Sequence, residues 1–308
     1  MFNKKSNKTL WIVFAILLVG TILIFTTEST KKERSFKKDL VSIDTAKVSE
    51  ILIYPKSQKG SEVKLTKSNS SWSVTTKKGK QYLVPKAKIK NLLNQLLAIK
   101  PKRLASRSEK KFNEYEVNDS AATKIVVNEG SSEVLNLIIG KFAFQQPRSM
   151  STFVRLADDT DIYEVDGFLD MTFNKKVNDF RDETVINSDK NKWNKLRFEY
   201  SNSESFEIVN NGNAWLLEGG ITDSTKTDKA LSDLVSLTNN LYIDVNENSL
   251  PPVEAKLIIE NDLGEPIIIT SYRDSSKYII HSSQNNDSYF DGKKNGSKIF
   301  LNKNSFLK

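Results

Sequence analysis

The chain has 308 residues, with 46 Lys and Arg against 38 Asp and Glu and a formal net charge of +8. It has no Cys and one His, which excludes thiol catalysis, disulfide bonds, Cys-ligated zinc or iron–sulfur sites and c-type haem attachment. The hydrophobic share is 38%, enough for real cores in roughly two domains of about 150 residues each.

In chain order, a short tail (1–9) leads into LWIVFAILLVGTILIF (Leu10–Phe25), a run with no charged residue that Thr26 and Thr27 extend to residues 10–27. At about 1.5 Å per residue this makes about 27 Å of helix, and a transmembrane anchor is expected over 10–27. A cleavable signal is the rival reading, but its apolar region would be shorter and would end in a small-x-small site, which is missing here. Lys4, Lys5 and Lys8 before the run compete with Lys31, Lys32, Arg34, Lys37 and Lys38 after it. Because long domains translocate largely regardless of charge, a cytoplasmic N-terminus and an external body are expected. Residues 28–46 then read as a basic juxtamembrane linker.

Beyond the linker, period-2 apolar runs bounded by Gly, Asn, Ser and Asp dominate, interrupted by two helical intervals. VKLTKSNSSWSV (Val63–Val74) matches FEIVNNGNAWLL (Phe206–Leu217), each a strand, a polar turn and a strand carrying a Trp. A helical stripe of Ile89, Leu92, Leu93, Leu96 and Ile99 is answered by Leu231, Leu234, Val235 and Leu241. ATKIVVNEG (Ala122–Gly130) pairs with EAKLIIEND (Glu254–Asp262), and Val154 with Tyr163 matches Ile280 with Tyr289. The fold class expected is α+β: a transmembrane helix followed by two related modules, each a mainly antiparallel sheet with one covering helix. The modules are placed at 47–186 and 192–308, joined by the polar linker 187–191.

Charge is unevenly distributed. Lys31 to Lys111 holds 22 Lys and Arg against 6 Asp and Glu, and the remainder of the chain to Lys308 is acidic. The densest stretch, KPKRLASRSEKK, makes Lys100, Lys102, Arg103, Arg107, Lys110 and Lys111 a candidate interaction surface for lipid headgroups, an acidic polymer or a protein. A Lys-rich solvated face is the plainer reading. Nucleic acid is not expected as a partner, because no recognition motif accompanies the charge.

A catalytic constellation is hard to assemble. Any Ser-His-Asp arrangement must use His281, a lone strand histidine of the kind that is usually structural. Asp158, Asp159 and Asp161 fail the calcium-loop pattern and read as a hairpin turn. No phosphate-binding glycine loop is present, and Trp72 and Trp215 read as core. No cofactor, metal or catalytic residue is assigned; a hydrolase built on a carboxylate pair remains open.

An ordered series of short motifs carries a resemblance. FNEYEVND (Phe112–Asp119), KIVV (Lys124–Val127), LIIGK (Leu137–Lys141), the hairpin from Val154-Arg155 to Tyr163-Glu164-Val165, and Phe180-Arg181-Asp182 follow one another. The series resembles an uncharacterised domain-of-unknown-function family of bacterial single-pass envelope proteins, often tandem and encoded beside gliding-motility-type ABC transporter components. Typical members have Tyr-Gly-Leu-Asp where this chain has Tyr115-Glu116-Val117-Asn118. The resemblance covers the first module well and implies context rather than mechanism. What it implies is an envelope accessory protein near an ABC transporter; the function expected from the whole sequence is a non-enzymatic accessory protein of the bacterial cytoplasmic membrane, its body periplasmic, in contact with a membrane complex of the ABC-transporter type. The alternative is a binding module for an anionic envelope polymer or lipid headgroup. Arg155, Arg181 and Asp182 are the polar positions expected to be structural, with Arg181 at the module junction.

Overall fold

The computed structural model describes Phe14, Leu17, Leu18, Lys37 and residues 39–145, 149–201, 203–262 and 264–308. The first large sheet is built from β1 (Val48–Tyr54), β2 (Val63–Ser68), β3 (Ser71–Thr75), β4 (Gln81–Val84), β5 (Pro101–Ser106), β6 (Thr123–Glu129), β7 (Ser132–Gln145), β8 (Ser149–Leu156) and β9 (Ile162–Asp166). Its order is β4-β3-β2-β1-β6-β7-β8-β9-β5, and every recorded pairing in it is antiparallel. Helix α1 (Lys86–Leu97) falls between β4 and β5, and the short helices α2 (Leu169–Phe173) and α3 (Val177–Phe180) follow β9.

The chain then crosses through β10 (Thr184–Asn187) into a second set: β11 (Trp193–Tyr200), β12 (Phe206–Asn210), β13 (Trp215–Leu217), β14 (Gly220–Ile221), helix α4 (Ser224–Leu234), β15 (Ser236–Thr238), β16 (Val253–Asn261), β17 (Ile267–Arg273), β18 (Tyr278–Ser282), β19 (Asn285–Asp291) and helix α5 (Gly292–Ile299). Eight of these strands form a second antiparallel sheet in the order β14-β13-β12-β11-β16-β17-β18-β19, and β10 pairs with β15 in a ribbon of two. From β1 to β4 and from β6 to β9 the first sheet has the connectivity of β11 to β14 and β16 to β19 in the second. The entry turns match as well: the Asp44 carboxylate accepts from the Ala46 N–H at 3.1 Å, and Asp189 accepts from Asn191 at 3.0 Å.

Alternation makes the strands. In β1 Val48, Ile51 and Ile53 point inward, and in β11 Trp193, Leu196 and Phe198 do the same. Helix α1 buries Ile89, Leu92, Leu93 and Leu96, the i, i+3, i+4, i+7 stripe of a helix laid on a sheet. One core lies under α1, α2 and α3 and a separate one fills the second sheet. A third, small cluster sits on the opposite face of the first sheet, where Val117, Ala122, Ile138, Phe153 and Ile162 meet Phe112 and Tyr115.

The expected architecture needs correction. The described residues are mostly antiparallel sheet in several sheets, rather than two modules each covered by one helix. Three helices and the 109–122 segment share the first sheet, while α4, α5 and the β10–β15 ribbon accompany the second. Period-2 patterning runs through nearly all the apolar sequence, so little of the chain is left for helix. No helix among the described residues is long and apolar enough to cross a membrane. The anchor expected at 10–27 lies outside the described residues, apart from Phe14, Leu17 and Leu18. Two equivalences also shift. Helix α4 ends at Leu234, leaving Leu241 half exposed beyond it, and Ile280 faces Phe290 while Tyr289 faces His281.

Candidate functional site

His281 stacks on Tyr289 at 4.7 Å between ring centroids, and its Nε2 lies 3.2 Å from the Asn286 carbonyl. That is the environment of a strand-surface histidine. Among the described residues no group of three or more His, Asp or Glu is placed to hold a metal. Four surface cavities of about 320 to 600 Å³ are lined by one carboxylate each at most.

Arg155 stands on β8, facing the small cluster. Its Nε donates to the Val117 carbonyl at 2.8 Å and its Nη1 to Leu156 and Ala157 carbonyls at 3.1 and 3.0 Å, while the guanidinium lies 4.2 Å from the Phe112 ring centroid. Burial lowers its pKa. The side chain therefore clamps the Phe112–Val117 segment to the sheet. Gly140 in β7 completes this seat: an added Cβ would lie 2.3 Å from the Tyr115 carbonyl oxygen and 2.6 Å from Val117 Cγ1. The same approach lets the Lys141 N–H donate to the Tyr115 carbonyl at 2.9 Å. Between these contacts Glu116 turns through φ +53°, the left-handed region.

The basic stretch follows the free edge of the first sheet, and its neighbours are acidic. Lys100 pairs with Asp39 and Lys102 with Asp166, both at 3.1 Å, and Arg103 with the buried Glu164. Arg107 lies 3.9 Å from Asp161, and Lys111 pairs with Glu114 at 2.5 Å. Lys110 makes no ion pair among the described residues. The cations that dominate the linear sequence here are thus mostly met by carboxylates, two of them, Glu164 and Asp166, on β9. Register shifts on both sides of Arg103-Leu104 bulge β5, a device that discourages edge pairing.

Arg181 is 2% exposed, and its guanidinium sits between two tyrosine rings, 3.5 Å from the Tyr82 centroid and 3.8 Å from that of Tyr242. Tyr82 belongs to β4 of the first sheet; Tyr242 follows β15 and bridges to β19 of the second. Nη2 donates to Ser288 Oγ at 3.2 Å and Nη1 to Asn178 at 3.3 Å, with Asp244 at 4.0 Å. Burial lowers the guanidinium pKa and raises that of both tyrosines. Around it the Lys88 ammonium caps the Arg181 carbonyl at 2.8 Å, the Asp182 N–H donates to Leu83 at 3.2 Å, and Asn285 Nδ2 donates to the Asp182 carbonyl at 2.8 Å. This cluster joins the two sheets. Sequence reasoning places Arg181 and Asp182 at the junction but misses Tyr82, Tyr242 and Ser288, which come from three separate strands or loops.

One surface feature has no counterpart in the sequence reading. Near the β7–β8 turn, Phe144 (55% exposed) and Met150 (50%) are cross-strand partners on the helix side of the sheet. Two residues back on the same face, Phe142 stacks against Phe168 at 4.6 Å between centroids. Phe168 and, three residues on, Met171 are also exposed. Phe144 and Met150 sit on β7 and β8, β7 being fourteen residues long, and the alternation of the sequence marks them only as strand residues.

The family model of a domain of unknown function, DUF4340, matches residues 72–255, more than half of the chain. The chain belongs to this family. The DUF4340 match opens at Trp72 in β3, takes in the Arg155 clamp and the Arg181 junction, and runs into β16. It therefore extends well past the first module, where the motif series was read. No curated protein and no solved structure matches the chain.

Proposed function

We propose that the protein is a non-catalytic accessory subunit that docks onto a membrane protein complex through the tip of the β7–β8 hairpin. The observation that carries this reading is the exposure of Phe144 and its cross-strand partner Met150 at the end of the long β7–β8 strand pair, with Phe168 and Met171 also exposed. Contiguous exposed apolar side chains on a rigid element are the usual mark of a protein contact, and aromatic and Met side chains are enriched at the centres of such contacts. The apolar run 10–27 supports placing the protein at a bacterial envelope membrane with its body outside the cytoplasm. The gliding-motility-type ABC transporter context of the resembling family supports an ABC-type complex as the partner.

The reading in which Lys100–Lys111 grips an anionic polymer has less support, because five of its six cations face carboxylates within 4 Å. The docking reading is tested by co-purification of the full chain with ABC-type membrane components. The Phe144→Asp/Met150→Asp variant is expected to lose those components while keeping the wild-type circular dichroism spectrum and expression level. Unchanged co-purification by that variant would remove the hairpin tip from the account.

A further inference from the structure

From Val63 to Ser108 the chain contains no Asp or Glu, and twelve Lys and Arg. Most of that carboxylate-free stretch is β2, β3, β4 and α1, and between α1 and the β2–β3 hairpin lies a groove of about 600 Å³. Its walls are Ile89, Leu93 and Trp72, and its rim carries Lys67, Lys86 and Lys90; no carboxylate lines it. Lysines on the same stretch elsewhere find carboxylates, Lys64 with Glu50 and Lys88 with Glu183, whereas the three rim lysines make no ion pair among the described residues, and Lys67 donates to the Ala46 carbonyl at 3.1 Å.

One feature shows that this arrangement works against local stability. Lys86, Lys88 and Lys90 occupy the start of α1, where the helix dipole disfavours cations; no acidic residue is in the first turn, and Pro85 at the N-cap makes no side-chain hydrogen bond. Lys86 and Lys90 are also a like-charge i, i+4 pair. The floor carries a donor of its own. Trp72 is 6% exposed and lines the groove, yet its indole N–H has no hydrogen-bond partner among the described residues. The more deeply buried Trp193 donates to Ser188 Oγ at 2.9 Å. The Trp72 N–H keeps access to solvent rather than being sealed in the core.

The second sheet provides an internal comparison. Aligned on their buried stripes, Ile89, Leu93 and Leu96 of α1 fall on Thr227, Leu231 and Leu234 of α4, so Pro85 falls on Asp223, Lys90 on Asp228 and Asn94 on Ser232. Asp223 caps α4 by accepting from the Lys226 N–H at 2.9 Å. Asp228 and Ser232 together hold Lys190 at 2.5 and 2.8 Å. Lys190 directly follows the Asp189 turn, as Thr45 follows the Asp44 turn. Where the second sheet has a built-in cap and ion pair, the first has Pro85, Thr45 and Lys90, an N–H without an acceptor and open volume.

We infer that the α1 groove of the first sheet binds a phosphate ester anion. Lys67, Lys86 and Lys90 face its charge, the Trp72 N–H supplies a floor donor, and Ile89 and Leu93 meet its apolar part. The inference goes beyond the docking reading and does not depend on it, since the hairpin tip and the groove are separate surfaces.

The test is a calorimetric titration of the full chain, solubilised in a non-ionic detergent, with dihexanoyl-phosphatidylglycerol, dihexanoyl-phosphatidylcholine and inorganic phosphate. Saturable binding of an anionic probe is expected, weakening as salt rises, with no binding of the zwitterionic lipid. Lys86→Ala/Lys90→Ala is expected to weaken it at least tenfold and Trp72→Phe several-fold. Thr45→Lys/Lys90→Asp, which copies the ion pair of the second sheet, is expected to keep the melting temperature and lose the binding. Tighter binding of phosphatidylglycerol than of phosphate assigns the site to a lipid headgroup; equal binding assigns it to free phosphate groups. Absence of saturable binding by either anion overturns the inference, as does an affinity that Lys86→Ala/Lys90→Ala leaves unchanged.

Discussion

At the scale of single residues, Glu116 occupies a left-handed backbone position at φ +53° that an L side chain adopts at a cost of about 1–2 kcal/mol. Glycine adopts this region without that cost. Part of the cost is recovered because glycine loses more chain entropy on folding. Glu116→Gly is therefore expected to stabilise the protein by about 0.5–1 kcal/mol, read as a higher urea midpoint with an unchanged slope. Gly140 answers to the opposite constraint. A Cβ there meets a backbone carbonyl oxygen at 2.3 Å that Arg155 and Lys141 help to fix, so Gly140→Ala is expected to cost about 2–3 kcal/mol in the same measurement.

Charge adds a pH dependence at this scale. The Glu50 carboxyl is held below its ordinary range by the Lys64 ammonium at 2.6 Å, with help from the Asn128 amide, and hydrogen bonds also lower Asp44 and Asp274. A carboxyl depressed in the folded state stabilises the fold fully above its unfolded pKa, and that contribution is lost as pH falls through the depressed value. Stability is expected to be flat from neutrality to about pH 5 and to decline below it. Glu50→Gln should make the decline shallower, and an acid limb steeper than wild type in that variant would contradict the assignment.

At the scale of elements, much was legible and the failures have definite causes. Period-2 patterning locates the β2–β3 hairpin, and the Ile89–Leu96 stripe locates α1, because both depend on near neighbours in the chain. The meaning of Lys100–Lys111 was not legible. Its neutralising partners Asp161, Glu164 and Asp166 lie more than fifty residues away, and only the β5–β9 register brings them alongside. Phe144 and Met150 failed in the same way, since alternation marks them only as strand residues. Leu241 fits a helical stripe by spacing, yet α4 stops at Leu234 and the chain turns into the β10–β15 ribbon. One expectation belongs here: reversing Lys102 and Arg107 to Glu should destabilise the β5 edge, because each change faces an acid with an acid. Faster amide exchange confined to β5 and β9 would register it, and unchanged exchange would contradict the paired-edge description.

For the whole molecule, the question is whether two sheets with their own cores behave as one body. The Arg181 stack is the main device joining them, since it draws Tyr82 from one sheet and Tyr242 and Ser288 from the other around a buried cation. Arg181→Ala is expected to cost about 2–4 kcal/mol and to split a single unfolding transition into two. Arg181→Lys should not restore it, because an ammonium cannot stack between both rings while reaching Ser288 and Asn178. A rigid two-sheet body matters for the proposed role because it presents Phe144 and Met150 in a fixed orientation relative to the second sheet.

The most direct measurement is site-specific photocrosslinking in cells, with a photoreactive phenylalanine analogue placed in turn at Phe144, Met171 and Lys110 of the full chain. The account expects adducts to one membrane-complex subunit from Phe144 and Met171, and none from Lys110 on the charged edge. Adducts from Lys110 with none from the hairpin tip would contradict it.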